Sequence, residues 1–189
     1  MSKFFSQKYK NLTPYVPGEQ PKEREYIKLN TNESPFPPSS LAIEAAATAA
    51  KKLFLYPDPD VKELTALTAK TLNVKSQNVI MTNGSDEVLN FPFMAYCDKD
   101  NPAIFPHISD GFYKVFAEIN NLPYKEIPLR EDFSVAVDDY ISQKGTIFIA
   151  NPNAPTGKIL PLFEIERLLK SNENRIVVID EAYVDFGGE

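Results

Sequence analysis

The sequence predicts an α/β fold: a mainly parallel sheet flanked by helices, preceded by an extended N-terminal arm. Three observations predict it. Short β-branched apolar runs alternate with helical stretches from about residue 79 onward. Two of those runs, Thr146–Ala150 (TIFIA) and Arg175–Asp180 (RIVVID), are continuously apolar rather than alternating, as in strands covered on both faces. Prolines are frequent at the start: of 16 in the chain, 8 fall in the first 60 residues.

Proline fixes φ and removes an amide donor, so residues 11 to 40, NLTPYVPGEQPKEREYIKLNTNESPFPPSS, read as an extended arm suited to lying over another surface or subunit. From Leu41 the pattern becomes LAIEAAATAAKKLFLY, a strong helix former behind Ser39 and Ser40 as caps. Tyr56-Pro57-Asp58-Pro59 breaks it, and Asp60 is the expected cap of a second helix over VKELTALTAKTL. Val79–Met81 reads as a strand. The next helix opens at Ser85, with Pro92 inside it and a kink expected there. A short strand at Ala103–Phe105 and a helix over Phe112–Asn120 follow, while Pro123–Leu129 and Val135–Tyr140 stay unassigned. After TIFIA comes an amphipathic helix, Leu162–Ser171, and then RIVVID. Residues 1–40 are the arm and the entry to the first helix; residues 41–189 are one sheet domain, for which 189 residues suffice to bury a core.

Composition excludes several classes. The chain is 43% apolar and 24% charged, an ordinary globular balance. Its net charge of -6, without a basic stripe, argues against nucleic acid. Only 4 of the 20 basic residues are arginines (Arg24, Arg130, Arg167, Arg175), so bidentate clamps for carboxylate or phosphate are scarce. Cys97 is the single cysteine and forms no internal disulfide; it reads as packing. The opening MSKFFSQKYK lacks the apolar region of a signal peptide, and no apolar run reaches a membrane span. The expected setting is soluble and cytoplasmic. His107 is the sole histidine, with no metal-spaced companion, and no CxxC, HExxH, GxSxG or phosphate-loop lysine pattern occurs.

Ligands of open α/β sheets bind beyond the carboxyl ends of strands, and each strand end here carries polar or glycine-rich residues. Gly84-Ser85-Asp86 opens a helix. Its free amides and the Ser85 hydroxyl suit an anion such as a phosphate, or the helix is capped and binds nothing. Asp180 ends an apolar strand, where a poorly solvated carboxylate needs a cation or donor. It faces either a protonated heterocyclic nitrogen or the amides of the next turn. Tyr183, three residues on, can aim its phenol into the same place. Asn151-Pro152-Asn153-Ala154-Pro155-Thr156-Gly157 is a proline-locked loop that either holds a polar ligand group or is a plain turn.

Taken together, NLTPY, KLNTNESPFPPS, YPDP, NGSDE, FYKVFAE, NPNAPTG and VVIDEAYVDF resemble the fold-type I, pyridoxal-phosphate-dependent aminotransferases. Within them KLNTNESPFPPS and YPDP favour the histidinol-phosphate aminotransferases. The resemblance implies pyridoxal 5'-phosphate as cofactor and transfer of an amino group between glutamate and an imidazole-bearing phosphate ester, in histidine biosynthesis. It places Gly84, Ser85 and Asp86 at the cofactor phosphate, Asp180 at the pyridinium nitrogen and Tyr183 at the ring 3-oxygen. Tyr56 reaches the cofactor phosphate of a neighbouring subunit, implying a homodimer, and Tyr15 and Asn32 line the substrate side.

Three departures qualify it. Ala154 stands where the family commonly has Asn before Pro-Thr-Gly, and Asn153 is the candidate substitute. Asp110 stands where the family often stacks an aromatic on the cofactor ring, and a slip of register offers Phe112 or Tyr113. The chain ends at Phe186-Gly187-Gly188-Glu189, ahead of where the family carries its Schiff-base lysine, so no catalytic residue is assigned. The expectation is an incomplete large domain with an open sheet edge, inactive and prone to aggregate alone. The alternatives are a non-catalytic remnant that binds phosphate or a partner chain, or another fold-type I enzyme such as an amino-acid-phosphate decarboxylase or an aromatic aminotransferase.

Overall fold

The computed structural model describes residues 4, 6–10, 18–19 and 27–187. The chain divides into two compact units, one of Thr82–Glu189 with Met1–Pro14, the other Tyr15–Met81.

In the second unit, residues 27–39 form neither helix nor strand and are exposed throughout. Helix α1 (Ser40–Ala50) begins where Ser39 caps it, its hydroxyl accepting from the Ala42 amide at 3.2 Å. The helix stops at Ala50 rather than running on to Tyr56. Residues 51–55 tighten into i→i+3 bonds, such as Lys52 N to Ala49 O at 2.9 Å, as the chain approaches Pro57, which disfavours helix in the residue before it. Helix α2 (Lys62–Thr71) corrects the expected cap: Asp58, not Asp60, receives the Lys62 amide at 3.0 Å and the Asp60 amide at 3.1 Å. The chain turns through Val61 at φ +48°, which carries Asp60 past the capping position. Val79–Met81 forms no strand; it has no pairing segment among the described residues, and Ile80 is exposed.

The first unit is built on a four-stranded parallel sheet, order β2-β1-β3-β4. Its strands are β1 (Ala103–Pro106), β2 (Tyr124–Ile127), β3 (Thr146–Ala150) and β4 (Val177–Asp180). β3 has the predicted bounds, while β4 starts two residues later than RIVVID suggests because Arg175 is drawn into other bonds. Register places Ala103 beside both Tyr124 and Thr146, and Ala150 beside Asp180.

Period-2 alternation sends each strand's residues to two cores. Ala103, Phe105, Phe148 and Ala150 meet Leu89 and Phe93 of α3 (Ser85–Tyr96) and Tyr113, Phe116 and Ala117 of α4 (Phe112–Ile119). Ile104, Ile147 and Ile149 meet Tyr140 of α5 (Asp138–Ile141) and Leu168 of α6 (Leu162–Ser171) on the other face. Helices on both faces are why β1 and β3 read as unbroken apolar runs. Phe93 stacks on Phe148 with centroids 4.1 Å apart, both rings fully enclosed. Each such ring contributes on the order of 2–3 kcal/mol by burial. Cys97 packs into the same core, as expected.

Two local features set the strand ends. Gly145 sits at φ +149°, and a Cβ there would lie 2.4 Å from the Pro102 carbonyl, so only glycine lets β3 start against β1. Arg175 is buried and donates to the carbonyls of Tyr140, Ile141, Gln143 and Leu168 and to Ser171 Oγ, at 2.7–3.2 Å. It fastens the ends of α5 and α6 to the entry of β4.

Candidate functional site

The carboxyl ends of β1, β3 and β4 carry the loops 107–111, 151–160 and 181–187. Sequence-predicted residues Gly84, Ser85, Asp86, Asn153, Asp180 and Tyr183 lie in this unit, as does Asp110. Asn32 and Tyr56 belong to the other unit, where both are exposed, Asn32 at φ +53°. Tyr15 lies outside the described residues.

Asp180 is the buried centre of the arrangement, 9% exposed. Its Oδ2 accepts from the Tyr113 hydroxyl at 3.0 Å, and its Oδ1 accepts from the Ala182 amide at 3.1 Å. One oxygen therefore caps the next turn, as the plainer reading of the sequence has it, while the other is held by a phenol. Tyr113 is fully buried among Phe93, Phe105 and Phe148. Burial, with Asp180 beside it, pushes its hydroxyl pKa up, so it remains a proton donor at all ordinary pH. That burial also removes Tyr113 from any role as a ring stacked on a ligand. Its link to Asp180 escaped the sequence reading. The available signal was a tyrosine sharing the buried helix face of Phe116 and Ala117, since most buried phenols find an acceptor.

Asp110 keeps its place at the front of α4. Its Oδ1 accepts the Phe112 amide at 2.8 Å, an N-cap, and Phe112 packs on Phe116 with centroids 5.5 Å apart. The Asp110 carboxyl pKa is raised, first by burial and further by Asp180 and Asp86, against the lowering bond from Phe112. Asp86, Asp110 and Asp180 thus form one negative field, and none is in an ion pair among the described residues. The described arginines are committed elsewhere: Arg130 to Asp139, Arg167 to Asp138 and Glu164, Arg175 to carbonyls.

Gly84 enters α3 at φ +83°, ψ 178°, a conformation glycine adopts freely, with open space where a Cβ would stand. Glu87 reaches back to the Asn83 amide at 2.7 Å. The helix front is thereby anchored one residue early, and the first-turn amides that follow have no intrahelical acceptor. Ser85 is half-buried at this opening.

Asn153 is a clamp between loops. It is 1% exposed; its Oδ1 accepts from Ser109 at 2.7 Å, and its Nδ2 donates to Ile108 O at 3.0 Å and Thr156 Oγ1 at 3.1 Å. The turn closes by Gly157 N to Asn153 O at 2.7 Å, with Gly157 at φ +68°. Asn151 makes a two-bond link to the Leu160 backbone, and Lys158 turns to Asp132 at 3.7 Å. Tyr183 is half-buried at the turn after β4. His107 is exposed, as a loop histidine should be. No cluster able to hold a metal ion occurs among the described residues.

Chemically, this edge offers a fixed carboxylate with unmatched negative charge beside it, and a glycine-led helix start with free amides. It can hold a cationic group at the first and an anionic group at the second.

The family model for aminotransferase class I and II matches residues 24–189. Histidinol-phosphate aminotransferase 2 of Dechloromonas aromatica (strain RCB) is 50% identical over 194 residues, covering all of this chain and 54% of that protein. Histidinol-phosphate aminotransferase of Clostridium acetobutylicum is 48% identical over 190 residues, again over all of this chain and 54% of the relative. The chain spans about half the length of the curated relatives it matches. The fold is shared with histidinol-phosphate aminotransferase from Sinorhizobium meliloti, solved in complex with pyridoxal-5'-phosphate: TM-score 0.77 at 20% identity, over 82% of this chain and 44% of that one. The parallel sheet with helices on both faces is that of these enzymes, and this chain belongs to the aminotransferase class I and II family.

Proposed function

We propose that this chain forms part of a histidinol-phosphate aminotransferase that binds pyridoxal 5'-phosphate. The observation carrying the proposal is Asp180: a buried carboxylate, fixed by two donors, beside two further carboxylates and with no cationic partner among the described residues. A protonated pyridine nitrogen fits that charge, and the amides opening α3 fit a phosphate arm.

Bound there, pyridoxal phosphate supplies a ring that draws off the electron pair released when an amino acid loses its α-proton. The chain's own residues prepare that chemistry. Asp180 holds the proton on the ring nitrogen. Gly84, Ser85 and Asp86 at the start of α3 take the phosphate, and Tyr183 donates to the ring 3-oxygen. Asn153 serves through the loops it clamps. Tyr56, exposed in the single chain, reaches the phosphate bound by a second copy in a homodimer. Tyr15 and Asn32 line the substrate side. The substrates are histidinol phosphate with 2-oxoglutarate, giving imidazole acetol phosphate and glutamate, and the setting is cytoplasmic. No helix among the described residues is long and apolar enough to cross a membrane.

The test is to express the complete polypeptide carrying this segment, load it with pyridoxal phosphate and follow glutamate formation. Turnover of histidinol phosphate with 2-oxoglutarate is the expected result. Carbon dioxide release from an amino-acid phosphate, without glutamate formation, would make it a decarboxylase of the same fold.

A further inference from the structure

We propose that Tyr113 is a positioning residue for Asp180: its buried phenol orients the carboxylate and holds it in place to face a ligand's protonated ring nitrogen. This deepens the reading above and rests on it.

The geometry supports the assignment. The Asp180 carboxylate stands at the last position of β4, where one free side-chain torsion would let it swing about its Cβ. The two donors act on different oxygens: the Ala182 amide on Oδ1 and the Tyr113 hydroxyl on Oδ2. Together they hold the carboxylate plane in one orientation. The amide belongs to the same turn as Asp180 and moves with it. The phenol comes from α4, across the core, and is fixed independently of that turn. Tyr113 is enclosed by three aromatic rings, with centroids 5.7 to 6.3 Å away, and has no alternative place for its hydroxyl. The Tyr113 backbone is set in turn by Asp110, whose carbonyl accepts the Tyr113 amide at 3.3 Å and whose carboxylate caps the same helix turn.

The chemical consequence follows from charge. Asp180 lies in the negative field it shares with Asp110 and Asp86. A ligand's protonated ring nitrogen is favoured there only while the carboxylate stays aimed at it. A neutral donor on Oδ2 holds the carboxylate in place without supplying a cation that would repel the ligand. Tyrosine meets both requirements; lysine, arginine or histidinium at this place would not.

The experiment uses the complete polypeptide loaded with pyridoxal phosphate and reads the pH midpoint of the bound cofactor's visible absorption band. Tyr113→Phe keeps the ring and the packing. Asp180→Asn removes the carboxylate charge and should displace the midpoint. Y113F should displace it in the same direction by a smaller amount. The double variant Y113F/D180N should match D180N alone, because Tyr113 acts only through Asp180. A cofactor-free readout accompanies it: with γ-carbon-labelled aspartate, the resonance absent in D180N should move in Y113F. A Y113F midpoint equal to the parent's, or an additive double variant, overturns the role of Tyr113. A D180N midpoint equal to the parent's overturns instead the placement of Asp180 at the ring nitrogen. If Y113F loads the cofactor too poorly, the labelled apo-protein still decides the matter.

Discussion

The Ser109 hydroxyl donates to Asn153 Oδ1 at 2.7 Å, joining residues 44 apart in sequence and tying the loop after β1 to the loop after β3. With Asn153 Nδ2 donating to Ile108 O and Thr156 Oγ1, a single buried amide holds both loops at the sheet edge. Removing it should disturb the edge without touching the strands.

Asn153→Ala is therefore expected to cost about 2–3 kcal/mol, since it deletes three buried bonds and leaves Ser109 and Ile108 unsatisfied. Asn153→Asp should cost more, because it loses both donations and puts a charge at a buried position beside Ile108 and Ser109. Urea titrations comparing the midpoints check both. An unchanged midpoint for N153A would show the loops to be held by other means.

Asp110→Asn should raise the melting temperature near pH 7. Asparagine still caps α4, and the substitution removes a carboxylate whose pKa is raised by burial and by its acidic neighbours. A raised carboxylate pKa means the folded state binds the proton more tightly than the unfolded chain. The penalty Asp110 imposes is thus fully present above its folded pKa and disappears as pH falls below its ordinary value. The advantage of D110N should shrink as pH is lowered through the carboxylate range, which melting curves from about pH 8 down to about pH 3 will show.

Gly145→Ala should destabilise by more than about 2 kcal/mol, since it combines an unfavourable φ of +149° with a Cβ 2.4 Å from the Pro102 carbonyl. Thermal unfolding measures it. Gly111→Ala has open space at its Cβ and an ordinary φ of -63°, and serves as the benign control.

Arg175→Met should cost roughly 3 kcal/mol or more, because a buried guanidinium satisfies four carbonyls and a hydroxyl that no hydrocarbon can replace. Arg175→Lys keeps the charge but has three donors on one atom, and it should recover only a minor part of the loss. Chemical denaturation of the three proteins ranks them.

From Ser85 onward, α3, β1, α4, β3, α6 and β4 were legible in the sequence because their signals are local, while β2 and α5 fall in the stretches left unassigned. Period-2 and period-3.6 apolar spacing and capping residues state helix or strand within a few neighbours. Thr146–Ala150 and Leu162–Ser171 fall at their predicted bounds for that reason. Polar and glycine-rich residues at successive strand ends, together with the motif resemblance, pointed to Gly84–Asp86 and Asp180. What the sequence could not state was pairing. Val79–Met81 has a strand's composition, but a strand exists only with a neighbour, and none of the described segments pairs with it. Nor could local spacing say that Tyr113 would turn inward to Asp180, 67 residues away, or that Asn153 would spend its amide on Ser109 and Ile108. Those bonds arise because packing α4 against β1 and β3 buries a phenol and the loops after β1 and β3 enclose an amide, and most buried polar groups find partners where the fold brings them. The sequence by itself determined most of the elements and the polar residues at the strand ends; the tertiary structure decided which of those residues are held, and by what.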